Sequence, residues 1–158
     1  MTSRVRQQII IRRGIPRWLR RKSSSNRTPA ALSGKSSRKS STANVAITGQ
    51  DQWYQVAFFV KTDDGEILGG LLGSVWAKRL YVSTLAVQEL FRGKGFGTEL
   101  MSRAEQYAIE RECSDSWLST FSFQARPFYE RLGYRLFGTL ENYPQGHALF
   151  FMTKRLVP

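Results

Sequence analysis

Glu89-Leu90-Phe91-Arg92-Gly93-Lys94-Gly95-Phe96-Gly97-Thr98 is the stretch around which the rest of the chain is organised. Before it runs Leu80-Tyr81-Val82-Ser83-Thr84-Leu85-Ala86-Val87, a strand-like segment with several β-branched residues. After it comes a helix-like segment to about Cys113, with Leu100, Met101, Ala104 and Ala108 on one apolar stripe and Glu99 and Arg103 paired on another face. A strand, a glycine turn with two cations and a helix together make an anion site. Glycine accepts positive φ and lets the backbone come close to a ligand. The first helical turn offers unpaired N–H groups at the positive end of the macrodipole. Arg92 and Lys94 add full charges. Such a turn suits a phosphate or a pyrophosphate.

The elements on either side read as an α+β domain. Trp53 to Lys61 and Ile67 to Val75 form a strand hairpin across the turn Thr62-Asp63-Asp64-Gly65-Glu66. Ser116 to Phe121 is a further strand. A short helix follows from about Gln124 to Leu132, with Pro127 in its first turn and Gly133 placed to end it. Tyr134 to Leu140 and Ala148 to Lys154 are the last two strands, joined by Glu141-Asn142-Tyr143-Pro144-Gln145-Gly146-His147.

The glycine turn departs from the P-loop pattern G-x-x-x-x-G-K-S/T. It also departs from the dinucleotide pattern G-x-G-x-x-G, because Thr98 stands at the third glycine and Asp115 precedes the next strand rather than ending it. Arg92-x-x-Gly95-x-Gly97 instead resembles the R/Q-x-x-G-x-G/A signature with which the GNAT superfamily of acyl-CoA-dependent N-acyltransferases cradles the coenzyme A pyrophosphate. Taken alone, the turn also reads as a plain strand-to-helix connection with solvated cations. A second stretch, Phe121 to Tyr134, resembles the superfamily's A-x-x-x-Y-x-x-x-G-F/Y segment at Ala125, Tyr129, Gly133 and Tyr134. The order of elements agrees, and the resemblance covers about residues 52–156. It implies a three-layer α/β/α type of α+β fold, with a mixed, mostly antiparallel sheet and flanking helices.

The resemblance also implies the chemistry, which is amine attack on the thioester of acetyl-CoA, the acyl-donor co-substrate, with no metal. The strands Leu80–Val87 and Ser116–Phe121 are expected to splay apart. The pantetheine arm is expected on the backbone of Leu85, Ala86 and Val87, where one N–H polarises the thioester carbonyl. The pyrophosphate is expected on Arg92, Gly93, Lys94, Gly95, Phe96, Gly97 and Thr98. Tyr129 is implied as the general acid for the leaving thiolate, its alternative being one more packed aromatic beside Phe128 and Tyr134.

The sequence departs from the superfamily at several points. The strand before the turn offers Ser83 and Thr84 where many relatives carry a carboxylate base, and Ser122 stands where relatives often have Asn. Glu141 is either a substitute base or a solvated loop carboxylate, and His147, the only histidine, reads as a loop residue. The superfamily's first strand and first two helices read as missing or degenerate, with Val5–Ile11 as a remnant of that strand. One apolar sheet face would then be exposed or capped by another chain, which leaves a homodimer open.

The 158 residues suffice for one domain, expected over 49–158 after a basic, Ser/Arg-rich leader over 1–48. The net charge of +12 belongs to residues 1–50, which hold nine Arg, three Lys and no acidic residue; the remainder is formally neutral. The polar tract Ser23–Thr42 is expected to be disordered. The leader reads as a flexible extension, as an organellar targeting segment, or as an arm for nucleic acid or anionic membrane. Cys113 is alone, so neither an internal disulfide nor a zinc site is expected, and a cytoplasmic setting fits. No apolar run is long enough to span a membrane. Two functions of different class follow. One is an N-acetyltransferase acting on a small-molecule or peptide amine. The other is a nucleic-acid-binding protein that uses the basic leader and carries an inert acyltransferase-like domain.

Overall fold

Val56, Phe58 and Val60 alternate along one strand and are all buried, so one face of the sheet is decided by period-two patterning. The computed structural model describes residues 5–9 as backbone and residues 45–47, 49 and 53–157 in full. Seven strands form one sheet: β1 (Val5–Ile9), β2 (Trp53–Thr62), β3 (Ile67–Trp76), β4 (Arg79–Val87), β5 (Asp115–Phe121), β6 (Arg135–Glu141) and β7 (Ala148–Arg155). Their order is β1-β2-β3-β4-β5-β7-β6. Only the β4–β5 pair is parallel. The helical elements among the described residues are a short stretch at 45–47, a 3-10 turn (Glu89–Phe91), α1 (Phe96–Ile109) and α2 (Arg126–Arg131).

The parallel pair is the topological centre. A parallel connection needs a crossover, and α1 provides it between β4 and β5. Its stripe Leu100, Met101, Ala104 and Ala108 is buried against Val56, Phe58, Leu71, Leu80, Val82, Leu118 and Met152. The Glu99–Arg103 pair lies on the helix as expected, at 2.6 Å. The helix stops at Ile109, earlier than the sequence pattern suggested, because Glu112 takes a positive φ of 58° and the Cys113 N–H turns back onto Ala108 O (3.0 Å). Burial pushes the Cys113 thiol above its ordinary pKa.

The opposite sheet face is less covered by the described residues. Trp53 and Trp76 are exposed there, and Tyr81 stacks on a half-buried Trp117 at 4.2 Å. β1 lies antiparallel on β2, with Val5 opposite Thr62 and Ile9 opposite Phe58. The sheet therefore has a short outer strand within Val5–Ile11, the stretch read as a remnant. Residues 45–47, ahead of β2, are helical, and most of the stretch between β1 and β2, where the superfamily places two helices, lies outside the described residues.

One irregularity matters for the site. Leu72 pairs with Thr84 but Gly73 pairs with Val82, so Ser83 is an extra residue in β4, a β-bulge. The Ser83 hydroxyl donates to Leu72 O (3.0 Å) and holds the bulge closed. The bulge also resets the alternation. Leu80 and Val82 before it, and Leu85 and Val87 after it, pack on the α1 side. Gly73 is required opposite the bulge, since a Cβ there would sit 2.3 Å from Tyr81 O. Gly73→Ala is therefore expected to cost about 1–3 kcal/mol, the usual range for forced overpacking. Urea denaturation of both proteins measures the difference.

Candidate active site

β4 and β5 pair only from Arg79↔Asp115 to Val82↔Leu118. Beyond that point β4 follows β3 to Val87, and β5 follows β7 to Phe121. The strands separate where the Ser83 bulge turns β4, and a cleft of about 750 Å³ opens between them. The expected splay is thus present. Leu85, Ala86, Val87, Arg92 and Tyr129 all line this cleft.

The backbone on the β4 side is partly free. Gln88 N–H bonds to Leu68 O (2.8 Å). Bonded pairs alternate along an antiparallel ladder, so Ala86 turns its peptide groups to Gly70 on β3. Leu85 and Val87 turn theirs into the cleft. The three residues grouped by the sequence thus divide, with two presenting backbone and Ala86 presenting its side chain. Arg92 Nε donates to Val87 O (3.2 Å), which ties the glycine turn to the strand end. Across the cleft, Gln124 closes the end of β5: its Oε1 accepts Phe121 N–H (2.9 Å) and its own N–H donates to Phe121 O (2.8 Å). This use of Gln124 also explains why α2 begins only at Arg126.

Between β4 and α1 the chain makes a 3-10 turn at Glu89–Phe91 and then the glycine turn. Gly93 and Gly95 have φ of 73° and 86°, in the left-handed region that favours glycine. The space where their Cβ atoms would lie is open. Gly95 is the N-cap of α1 and offers no side-chain cap, and the first intrahelical bond is Glu99 N–H to Gly95 O (3.0 Å). The N–H groups of Phe96, Gly97 and Thr98 precede that bond and point out of the helix end. Gly97 serves packing instead: a Cβ there would meet the Phe128 ring at 3.3 Å. Lys94 Nζ lies 5.1 Å from the centre of the Phe91 ring, at the turn's rim. A row of free N–H groups, two cations and an adjoining opened strand edge fit a pyrophosphate continued by an amide-bearing arm.

Tyr129 reaches the cleft from α2. Its ring is held edge-on by Phe128 at 5.1 Å and Tyr134 at 6.1 Å. Burial raises its phenol above the ordinary tyrosine pKa, so it stays protonated at neutral pH. Tyr134, the other tyrosine of the motif, is turned away: its hydroxyl donates to Ser116 Oγ (2.7 Å) in the core, and burial pushes its pKa up strongly.

The sequence reading missed Phe123 and Gln124, which also line the cleft. It missed as well that Ser122 and His147, far apart in the chain, come together at 3.4 Å. Glu141 is exposed at the end of β6. Among the described residues no group of three His, Cys, Asp or Glu side chains could hold a metal ion, and no helix is long and apolar enough to cross a membrane.

Comparisons with known proteins bear on family and fold. The profile of the acetyltransferase (GNAT) family matches residues 30–134. The chain is 42% identical over 93 residues to blasticidin-S acetyltransferase of Streptomyces morookaense, a match covering 58% of this chain and 68% of that protein. It is 33% identical over 89 residues to streptothricin acetyltransferase of Streptomyces lavendulae, covering 54% of this chain and 47% of that protein. Its fold superposes on an acetyltransferase crystal structure from Bacillus cereus with a TM-score of 0.71 and 29% identity, covering 83% of this chain and 97% of that one.

Proposed function

Because the chain belongs to the GNAT family of acetyltransferases and transfers acetyl from acetyl-CoA to an amine, we propose that its acceptor is a small amine-bearing antibiotic of the blasticidin-S or streptothricin kind. The support is the 42% identity to blasticidin-S acetyltransferase across a segment that makes up most of the folded domain. The aromatic residues at the cleft, Phe123 with Phe121 stacked on it at 5.1 Å, suit a flat or extended small molecule.

In this reading acetyl-CoA lies in the β4–β5 cleft with its pyrophosphate on residues 92–98. The observation that carries the placement is the pair of peptide groups, of Leu85 and Val87, left facing the cleft beyond the bulge. The Leu85 N–H is the group beside the bulge suited to polarise the thioester carbonyl. A fixed donor of this type lowers the barrier by about 3–4 kcal/mol. Tyr129 delivers its proton to the departing thiolate.

Release of free coenzyme A thiol, followed with acetyl-CoA and either blasticidin S, streptothricin or a peptide with a free N-terminal alanine, tests the acceptor class. Turnover with at least one antibiotic and none with the peptide is the expected result. Turnover with the peptide alone rejects the assignment.

A further inference from the structure

We infer that His147 is the base that takes the protons of the acceptor amine; this rests on the placement of acetyl-CoA in the β4–β5 cleft. His147 is the chain's only histidine and lies exposed between β6 and β7. A loop histidine of that kind is ordinarily free to reorient. This one is fixed in four ways. Its N–H donates to Pro144 O (2.8 Å), and its C=O accepts Tyr143 N–H (3.0 Å). Its Nδ1 lies 3.4 Å from Ser122 Oγ. Its ring meets Phe123 edge-on at 4.9 Å. The loop beneath is itself closed by Gly146 N–H on Asn142 Oδ1 (2.7 Å).

The anchoring suits a proton acceptor. Ser122 Oγ already accepts Ala148 N–H (3.2 Å). Its second lone pair can accept Nδ1–H, which leaves the Nε2 lone pair of the neutral ring as the basic site. Around the ring, Ser122, Phe123 and Ala148 carry no group that titrates near neutrality; the ionisable side chains of its own connection are Glu141 and Tyr143.

Position supports the role. Phe123 lines the cleft and carries His147 on its edge. Phe121, stacked on Phe123, alternates onto the sheet face opposite the buried Thr120, whereas Tyr129 belongs to the core on the α1 side. The cleft is therefore flanked by Tyr129 from one face and by the Phe123–His147 pair from the other. Acyl transfer needs that separation, because the entering nitrogen and the leaving sulfur diverge from the carbonyl carbon. Among the described lining residues the ionisable side chains are Arg92 and Tyr129, and neither is a base at neutral pH.

The balance is simple. An acceptor ammonium loses one proton to Nε2, and its nitrogen then attacks the carbonyl carbon. The C–N bond forms and the C–S bond breaks, and the acylated nitrogen, by then strongly acidic, sheds its second proton directly to water. Exposed His147 passes the first proton to solvent. The thiolate takes a proton from Tyr129, which recovers one from solvent, so each turnover releases one proton.

Two nucleophiles test this with the full chain at pH 7 and saturating acetyl-CoA. Butylamine is almost wholly protonated and needs a base; hydroxylamine is largely neutral and does not. In His147→Asn, butylamine acetylation is expected to fall about 10²-fold or more, the usual worth of a general base. Hydroxylamine acetylation is expected to change by less than about threefold, and acetyl-CoA affinity by calorimetry not at all. Added imidazole should restore part of the butylamine rate. Ser122→Ala, which leaves the imidazole in place, should lower only the butylamine rate, by about tenfold. Equal losses for both nucleophiles, or no loss for either, overturn the proposal. So does a wild-type protein that acetylates hydroxylamine but not butylamine. Failure of the wild type to bind acetyl-CoA sinks the cleft placement, and this inference with it.

Discussion

Gly95→Asp is expected to abolish measurable acetyl-CoA binding while leaving the domain folded. Two effects act on the substitution, and their sizes differ. The first is backbone strain: φ at Gly95 is 86°, and a non-glycine residue in that region costs of order 1–3 kcal/mol. Asp is among the residues best tolerated there and is a good helix N-cap, so the net loss of fold stability belongs at the lower end. Beyond the adjoining residues, no atom lies within 4 Å of the new Cβ, so no clash with the rest of the fold adds to it. The second effect is charge. The carboxylate would stand at the mouth of the helix end, where the pyrophosphate is proposed to sit. Like charges about 5 Å apart in a surface dielectric of about 20 repel by roughly 3 kcal/mol, and pyrophosphate carries more than one charge. Binding should therefore fall by more than about a hundredfold. Gly95→Ala separates the two effects, since it keeps the strain and omits the charge, and it should lose far less. Calorimetry on both variants, with circular dichroism as the fold control, reads the result. A folded Gly95→Asp protein with unchanged acetyl-CoA affinity would remove the turn from the site.

The framework that holds this turn was largely legible because its determinants are local. Alternation at Val56, Phe58 and Val60, the stripe Leu100, Met101, Ala104 and Ala108, and the breaks at Gly65, Pro127 and Gly133 each lie within one element. The observed strands, apart from β1, and the helices follow that reading with shifts of a few residues. Two of the shifts have local causes, one in a side chain and one in the backbone. Gln124 is drawn into closing β5, and the positive φ of Glu112 ends the α1 region early. What pattern could not reveal is non-local. Nothing in Ser83 or Gly73 alone announces that they face one another across a bulge, yet that bulge opens the cleft. The same bulge sets which of Leu85, Ala86 and Val87 turns its backbone into the cleft. Ser122 and His147 lie 25 positions apart and meet only because the loop carrying His147 is shaped by Asn142 and Gly146, so their contact is invisible in chain order. The resemblance to the acetyltransferases pointed to this cleft as the candidate site. The local geometry then divided residues that a motif treats alike.

Tyr129→Phe is expected to lower turnover by about 10²–10⁴-fold with acetyl-CoA affinity nearly unchanged, the usual effect of losing a positioned proton donor. The substitution keeps the ring, and with it the edge contacts to Phe128 and Tyr134. Among the described residues no hydrogen bond to the Tyr129 hydroxyl is seen, so its removal leaves no buried partner stranded. The fold should therefore lose less than about 1 kcal/mol. The direction of the pKa shift fixes the pH behaviour. Burial raises the phenol above its ordinary value, so the acid form persists through neutrality. Loss of activity from its ionisation then belongs only on the far alkaline limb. Wild-type kcat should hold on the alkaline side of neutrality up to that limb. The variant should be low throughout and show no such limb, because water protonates the thiolate in its place. Measurement needs an acceptor, and hydroxylamine serves even where the natural amine is still being sought. It also separates the two proton-transfer roles. Loss of Tyr129 should slow hydroxylamine and butylamine alike, since both reactions expel the same thiolate, whereas loss of His147 should slow only the protonated amine. Wild-type turnover in Tyr129→Phe from pH 6 to pH 9 would show that the tyrosine only packs, and the thiolate's proton would then have to come from solvent.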